Sequence, residues 1–158
     1  MKLSHQKLKL LYLMQILLEK TDEEHTMTVP QMISELAKLG ISAERKSIYD
    51  DLEYLKLFGL DICSIRTKTH GYFIASRDFE LPELKLLVES VQASKFITHK
   101  KSMELISKIE KLTSHEYAKK LHRQVFVTNR VKTLNEQIYY NVDKIHDAIA
   151  ANKQITFK

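Results

Sequence analysis

Seven side chains in the first half of the chain carry the chemistry to grip a polyanion: Ser42, Arg45, Lys46, Ser47 and Tyr49 in one stretch, then Arg66 and Lys68. Guanidinium and ammonium groups neutralise phosphate, and Arg also matches the paired acceptors on the major-groove edge of guanine. Hydroxyls donate to phosphate oxygens. On a helix that turns Ile48 and Leu52 inward, Arg45, Lys46 and Tyr49 point away from the core. Arg45 then lies in the first turn, where a groove-reading helix reaches base edges. Glu44, Asp50 and Asp51 share the segment and repel phosphate unless they pair internally or face away.

Other constellations carry less. His115, His122 and His146 are suitable metal ligands by type, but their spacing matches no compact motif and no thiolate or carboxylate is placed to complete a set. No metal or other cofactor is expected. Cys63, the single cysteine, has alternating neighbours in a β-prone run and reads as a buried structural thiol. Lys119, Lys120, Arg123, Arg130 and Lys132, with Tyr117 and Phe126 nearby, could form a second basic surface, although a solvated helical face is the simpler reading. Tyr139-Tyr140, near Arg130, could be an interface, although one packed ring beside one exposed ring is the simpler reading. A Gly-rich phosphate loop, a nucleophile elbow and a paired-carboxylate segment are all missing, so no enzyme is expected.

The elements that must position the seven side chains follow from punctuation and period. The only glycines, Gly40, Gly59 and Gly71, lie in the first half, and both prolines follow plausible helix starts, at Thr28-Val29-Pro30-Gln31 and Leu81-Pro82-Glu83. A first helix is expected from about His5 to Lys20, with Leu10, Leu13, Met14 and Leu17 inward. A second holds Met32, Ile33, Leu36 and Leu39 and stops at Gly40. A third opens at the N-cap candidate Ser42, buries Ile48, Leu52 and Leu55, and ends at Gly59. Leu60 to Ile65 and Tyr72 to Ile74 then read as a hairpin around the polar tip Arg66 to Gly71. Beyond Leu81 the period is helical: Leu84, Leu87, Val88 and Val91; Leu105, Ile106, Ile109 and Leu112; Tyr117, Leu121 and Val125; and Leu134, Ile138, Val142, Ile145 and Ile149.

Helix, helix, tight turn, helix and hairpin is the order of a winged helix-turn-helix. The fold class expected is mainly α: a winged helix-turn-helix with a two-stranded wing over residues 1–78, then an all-helical connector bundle over 79–152. The recognition helix spans about Ser42 to Phe58 and the wing about Leu60 to Ala75. The net charge of +5 adds little, since Met1 to Ser76 holds ten Lys/Arg against ten Asp/Glu, and the excess lies beyond Ser76.

Ile41 to Leu55, Phe58-Gly59-Leu60-Asp61-Ile62 and Gly71-Tyr72-Phe73 resemble the N-terminal module of WYL-domain transcriptional regulators. The similarity continues through Asn129-Arg130-Val131-Lys132 and Tyr139-Tyr140 to Ala150 through Phe157. Asp50 departs from the family, where that position is often basic. The Trp-Tyr-Leu signature is absent, because the chain has no Trp and stops where that domain would begin. The resemblance implies a DNA-binding half plus connector, with 153–158 starting a truncated WYL-type domain and any effector ligand bound by the missing part. Gln154 to Lys158 should then fray for want of a neighbouring strand.

The function expected is a cytoplasmic, sequence-specific transcriptional regulator of double-stranded DNA. A homodimer is expected because one recognition helix reads too few base pairs, with the helical half contributing to the dimer. No membrane partner is expected, since no apolar run approaches the roughly 20 residues of a span. The alternative is a winged-helix adaptor that binds protein without DNA.

Overall fold

The computed structural model describes residues 8–66, 69–125 and 132–156. These are mainly helical, with one small antiparallel sheet. The order is α1 (Lys9–Lys20), β1 (Met27–Thr28), α2 (Val29–Lys38), α3 (Arg45–Phe58), β2 (Ile62–Arg66), β3 (His70–Ile74), α4 (Leu81–Ala93), α5 (His99–Glu110), α6 (His115–Val125) and α7 (Gln137–Ala150). The expected start of the first helix at His5 lies outside the described residues.

The start of α2 is the capping box read from the sequence. Gln31 Oε1 accepts from the Thr28 amide at 2.7 Å and from its hydroxyl at 2.9 Å, with Pro30 in the first turn. Gly40, at φ 73°, closes the other end, where the Ile41 amide donates back to Leu36 O at 3.0 Å. That closure drops Ile41 into the core. The chain must then stay non-helical for three more residues, so α3 begins at Arg45 behind an extended Glu44, and Ser42 is not its N-cap as expected. Gly59, at φ 113°, ends α3 in the left-handed conformation, with the Leu60 amide returning to Leu55 O at 3.0 Å.

The core gathers Leu13, Ile16 and Leu17 of α1, Val29, Met32 and Leu36 of α2, Ile41, and Ile48, Leu52 and Leu55 of α3. Met27, Ile62, Tyr72 and Ile74 close it from the sheet. Leu10, Met14 and Ile33 are only partly buried, and Leu39 is exposed. The sheet has three strands in the order β1-β3-β2, where two were expected. The extra strand is two residues long, too short for any alternation to register. Met27 pairs with Tyr72 and Thr28 with Gly71, and a Cβ on Gly71 would run into Thr26. The hairpin also reaches further than expected, with Arg66 paired to His70. Cys63, expected buried, is exposed. It lies on the edge strand, of which only Ile62 enters the core.

Helices α4, α5 and α6 pack on one another, burying Leu84, Val88, Ile97, Ile106 and Leu121, and α6 returns to α1. A box of Glu80 and Glu83 starts α4, and the Thr98 hydroxyl, accepting from the Lys101 amide at 3.2 Å, starts α5. Leu112, expected inward, is exposed beyond the end of α5, and Leu87 is at the margin of exposure. α7 buries no residue fully, and Leu134 precedes it in open solvent. Asn152, at φ 50°, ends α7; residues 153–156 form no strand and are exposed.

The two halves meet at the loop after α1. Asp22 is buried there: its Oδ1 accepts from the amides of Glu24 at 3.0 Å and His25 at 2.9 Å and lies 2.7 Å from His25 Nδ1, while its Oδ2 accepts from the Ser114 hydroxyl. Arg77 Nη2 donates to Leu18 O at 2.8 Å and Thr21 O at 2.7 Å, satisfying the end of α1. Lys120 reaches Glu24 at 2.7 Å. Burial pushes the Asp22 carboxyl up. The hydrogen bonds from Ser114 and His25, the His25 charge and the Glu24 amide outweigh it and hold the group below its usual range.

A carboxylate with a depressed folded pKa stabilises the protein above its unfolded pKa and loses that contribution as pH falls through the folded value. Asp22→Asn should therefore lower stability by about 2 kcal/mol at neutral pH, by urea unfolding. The gap to the parent should persist down to about pH 4 and close below it. A gap of constant size down to about pH 2.5 would show that the ionised carboxyl is not what holds the junction.

Candidate nucleic-acid interface

The tight turn between α2 and α3 leaves the first turn of α3 at the surface. Arg45 and Lys46 are both exposed there, and Ser42 is exposed in the loop before them. Arg45 Nε donates to Tyr49 Oη at 3.2 Å, and its Cζ stands 5.8 Å from the centre of the Tyr49 ring. One turn of helix separates the two residues, so the contact is the ordinary i, i+4 neighbour relation. It limits the rotamers open to Arg45 while keeping the guanidinium in solvent. Tyr49, expected to point away from the core, is half-buried and packs against it.

Ser47 sits differently from the other four. It is half-buried and accepts from Lys9 Nζ of α1, which also pairs with Asp51 at 2.7 Å. Lys9 thus ties α1 to two residues of α3 one turn apart. The pairing neutralises Asp51, one of the three acids that would repel a polyanion. Glu44 and Asp50 stay exposed, and Glu53 pairs with Lys56 at 2.8 Å. Lys9 was missed as a contributor because, in the sequence, it only interrupts an apolar run.

On the hairpin, Arg66 is exposed at the last paired position of β2. Lys68 lies outside the described residues. Tyr72, on β3 opposite Ser64 of β2, is buried, and that burial together with the Tyr49 hydroxyl raises its phenol above the usual range. The hairpin packs beside α3 through β2.

The basic residues of the second half are spread over separate duties. Lys119 pairs with Glu116 at 2.6 Å and Lys120 with Glu24. Lys132 donates to Val91 O and Ser94 O, each at 3.0 Å, at the end of α4. Arg130 and Phe126 lie outside the described residues. His115 is 3.9 Å from Glu19 and His122 is 2.8 Å from Glu110, so these two histidines belong to separate pairs. Among the described residues no helix is long and apolar enough to cross a membrane. No family model matches this chain, and none of the curated proteins or solved structures matches it.

The Lys9 contacts yield a stability test. Both the Lys9 and Asp51 side chains are only 14% exposed, so removing one partner leaves the other charge poorly solvated. Lys9→Met should cost about 2 kcal/mol in urea unfolding, and adding Asp51→Asn should recover part of that loss. Strictly additive losses would mean that the pair contributes nothing to docking α1 on α3.

Proposed function

We propose that the protein is a sequence-specific DNA-binding transcriptional regulator with a winged helix-turn-helix, similar to the N-terminal part of WYL-domain regulators. On this reading α3 is the recognition helix and β2–β3 is the wing. The observation that carries it is the exposed Arg45, held against the half-buried Tyr49, with Lys46 beside it in the first turn of α3. These residues stand directly after a two-helix turn, on a helix that packs beside the hairpin. A guanidinium held in place but left in water is suited to a bidentate contact with guanine, while Lys46, Ser42 and Arg66 are suited to phosphates. Ser47, engaged by Lys9, serves on this reading to place the helix.

The protein acts in the cytoplasm, without a catalytic reaction, on double-stranded DNA and as a homodimer, since one helix reads too short a site for a genome. The adaptor reading draws on the even charge balance of residues 1–76 and on the exposed Glu44 and Asp50. Salt separates the two: a regulator loses affinity for duplex steeply as salt rises, and an adaptor barely binds it.

After selection of a preferred duplex, Arg45→Ala should cost about 1–3 kcal/mol on that site and relax discrimination at one base position. Arg66→Ala should weaken all duplexes alike and reduce the salt slope by about one. Equal, sequence-independent losses for both variants would remove Arg45 from base reading.

A further inference from the structure

The far end of α3 carries a feature that DNA reading by its first turn does not use. Tyr54, Leu57 and Phe58 are 63%, 83% and 76% exposed, although they belong to the helix whose Ile48, Leu52 and Leu55 anchor the core. Their i, i+3, i+4 spacing puts them on one face, side by side. Three large apolar side chains in water at one helix end make a patch on the order of 400 Å², the size at which exposure on a monomer signals a contact.

We infer that this end of α3 is a dimer contact, in which Tyr54, Leu57 and Phe58 pack on the same three residues of a second copy, tail to tail about a two-fold axis. Three observations favour a second copy over another occupant. A two-fold contact needs a patch that complements itself, and Glu53 and Lys56, of opposite sign, lie together along the Leu57 edge of this one. They pair with each other at 2.8 Å and are both exposed, so each can exchange its partner for the other copy's without stranding a charge. Lys56 in the last turn also offsets the meeting of two negative helix ends.

The third observation is length, and it rests on the DNA-binding reading. Arg45 and Phe58 are about 20 Å apart along the helix axis at 1.5 Å per residue. Two such helices meeting at their ends and overlapping by the turn from Tyr54 to Phe58 set the two Arg45 residues roughly 34 Å apart. Successive major grooves on one face of a duplex are roughly 34–36 Å apart. The basic head and the apolar tail of one helix thus have the separation that two half-sites one turn apart require.

The area sets the strength. Two copies would cover on the order of 800 Å² in total, short of the roughly 1,200–2,000 Å² of stable complexes. The dimer is therefore weak in free solution and is completed on DNA.

Two measurements on the full chain test this, with Leu57→Glu as the variant; Leu57 lies in solvent, so the fold survives the change, and circular dichroism verifies it. In sedimentation equilibrium without DNA, up to about 300 µM, the parent should self-associate weakly and Leu57→Glu at least about 10-fold more weakly. Glu53→Lys or Lys56→Glu alone should weaken association, and the two together should restore it. On duplexes with two half-sites, the parent should bind cooperatively at a spacing of about 10 base pairs and lose cooperativity at about 15, where the sites face opposite sides. Leu57→Glu should keep the parent's affinity for a single half-site and lose the cooperativity.

A parent that stays monomeric, or that associates equally with Leu57→Glu, overturns the contact and moves any dimer to another surface. Failure of both chains to bind any half-site overturns the DNA-binding reading instead. The sedimentation arm still decides the contact in that case.

Discussion

Ile41 must be buried one residue beyond the left-handed closure of a helix, and the placement of α3 depends on how that is done. Leu36 O, free at the end of α2, receives the Ile41 amide, and this bond leaves no freedom in the path of the chain out of Gly40. With Ile41 inside and Glu44 extended, α3 can start only at Arg45. That offset decides which residues occupy its exposed first turn. A helix capped at Ser42 would have started two residues earlier, with Arg45 as its third residue instead of its first.

The sheet and α1 hold this arrangement from behind. Thr21 links them, its hydroxyl donating to Leu17 O at 2.7 Å and accepting from the Ile74 amide at 3.1 Å. The close approach of β1 to Gly71 seats the hairpin against the segment entering α2. From the same loop, Asp22 and Glu24 reach α6 and the residue preceding it. Polar contacts of Asp22, Glu24 and Arg77 thus help join the helical half to the first half. A junction of that kind keeps its geometry only while each donor and acceptor finds its partner.

Electrostatics on α3 is sorted by position. Asp51 is satisfied by Lys9, and Glu53 by Lys56, while the basic residues of the first turn face water. The even formal charge of residues 1–76 is therefore not an even surface. A neutral total conceals a helix that exposes Arg45 and Lys46 beside Glu44 and Asp50 at one end and Tyr54, Leu57 and Phe58 at the other.

Local rules already present in the residue order determined much of this protein. The capping box of Thr28 and Gln31, the stops at Gly40 and Gly59, the proline at the start of α4 and the 3.6-residue stripes of Ile48, Leu52 and Leu55 act over a few residues, so they are legible in the linear chain. The exposure of Arg45 and Lys46 followed from the same periodicity, whereas Tyr49, read as outward, packs half-buried against the core. Tertiary structure alone decided the rest. The strand at Met27–Thr28 exists because Gly71 lets it approach, and Cys63 is exposed because its strand is the edge of the sheet. The start of α3 moved because Ile41 found a place in the core. Lys9 found Ser47 and Asp51 38 and 42 positions away, and Ser114 found Asp22 across 92. Such pairings depend on which surfaces pack together once the helices exist. No pattern within a single element specifies that.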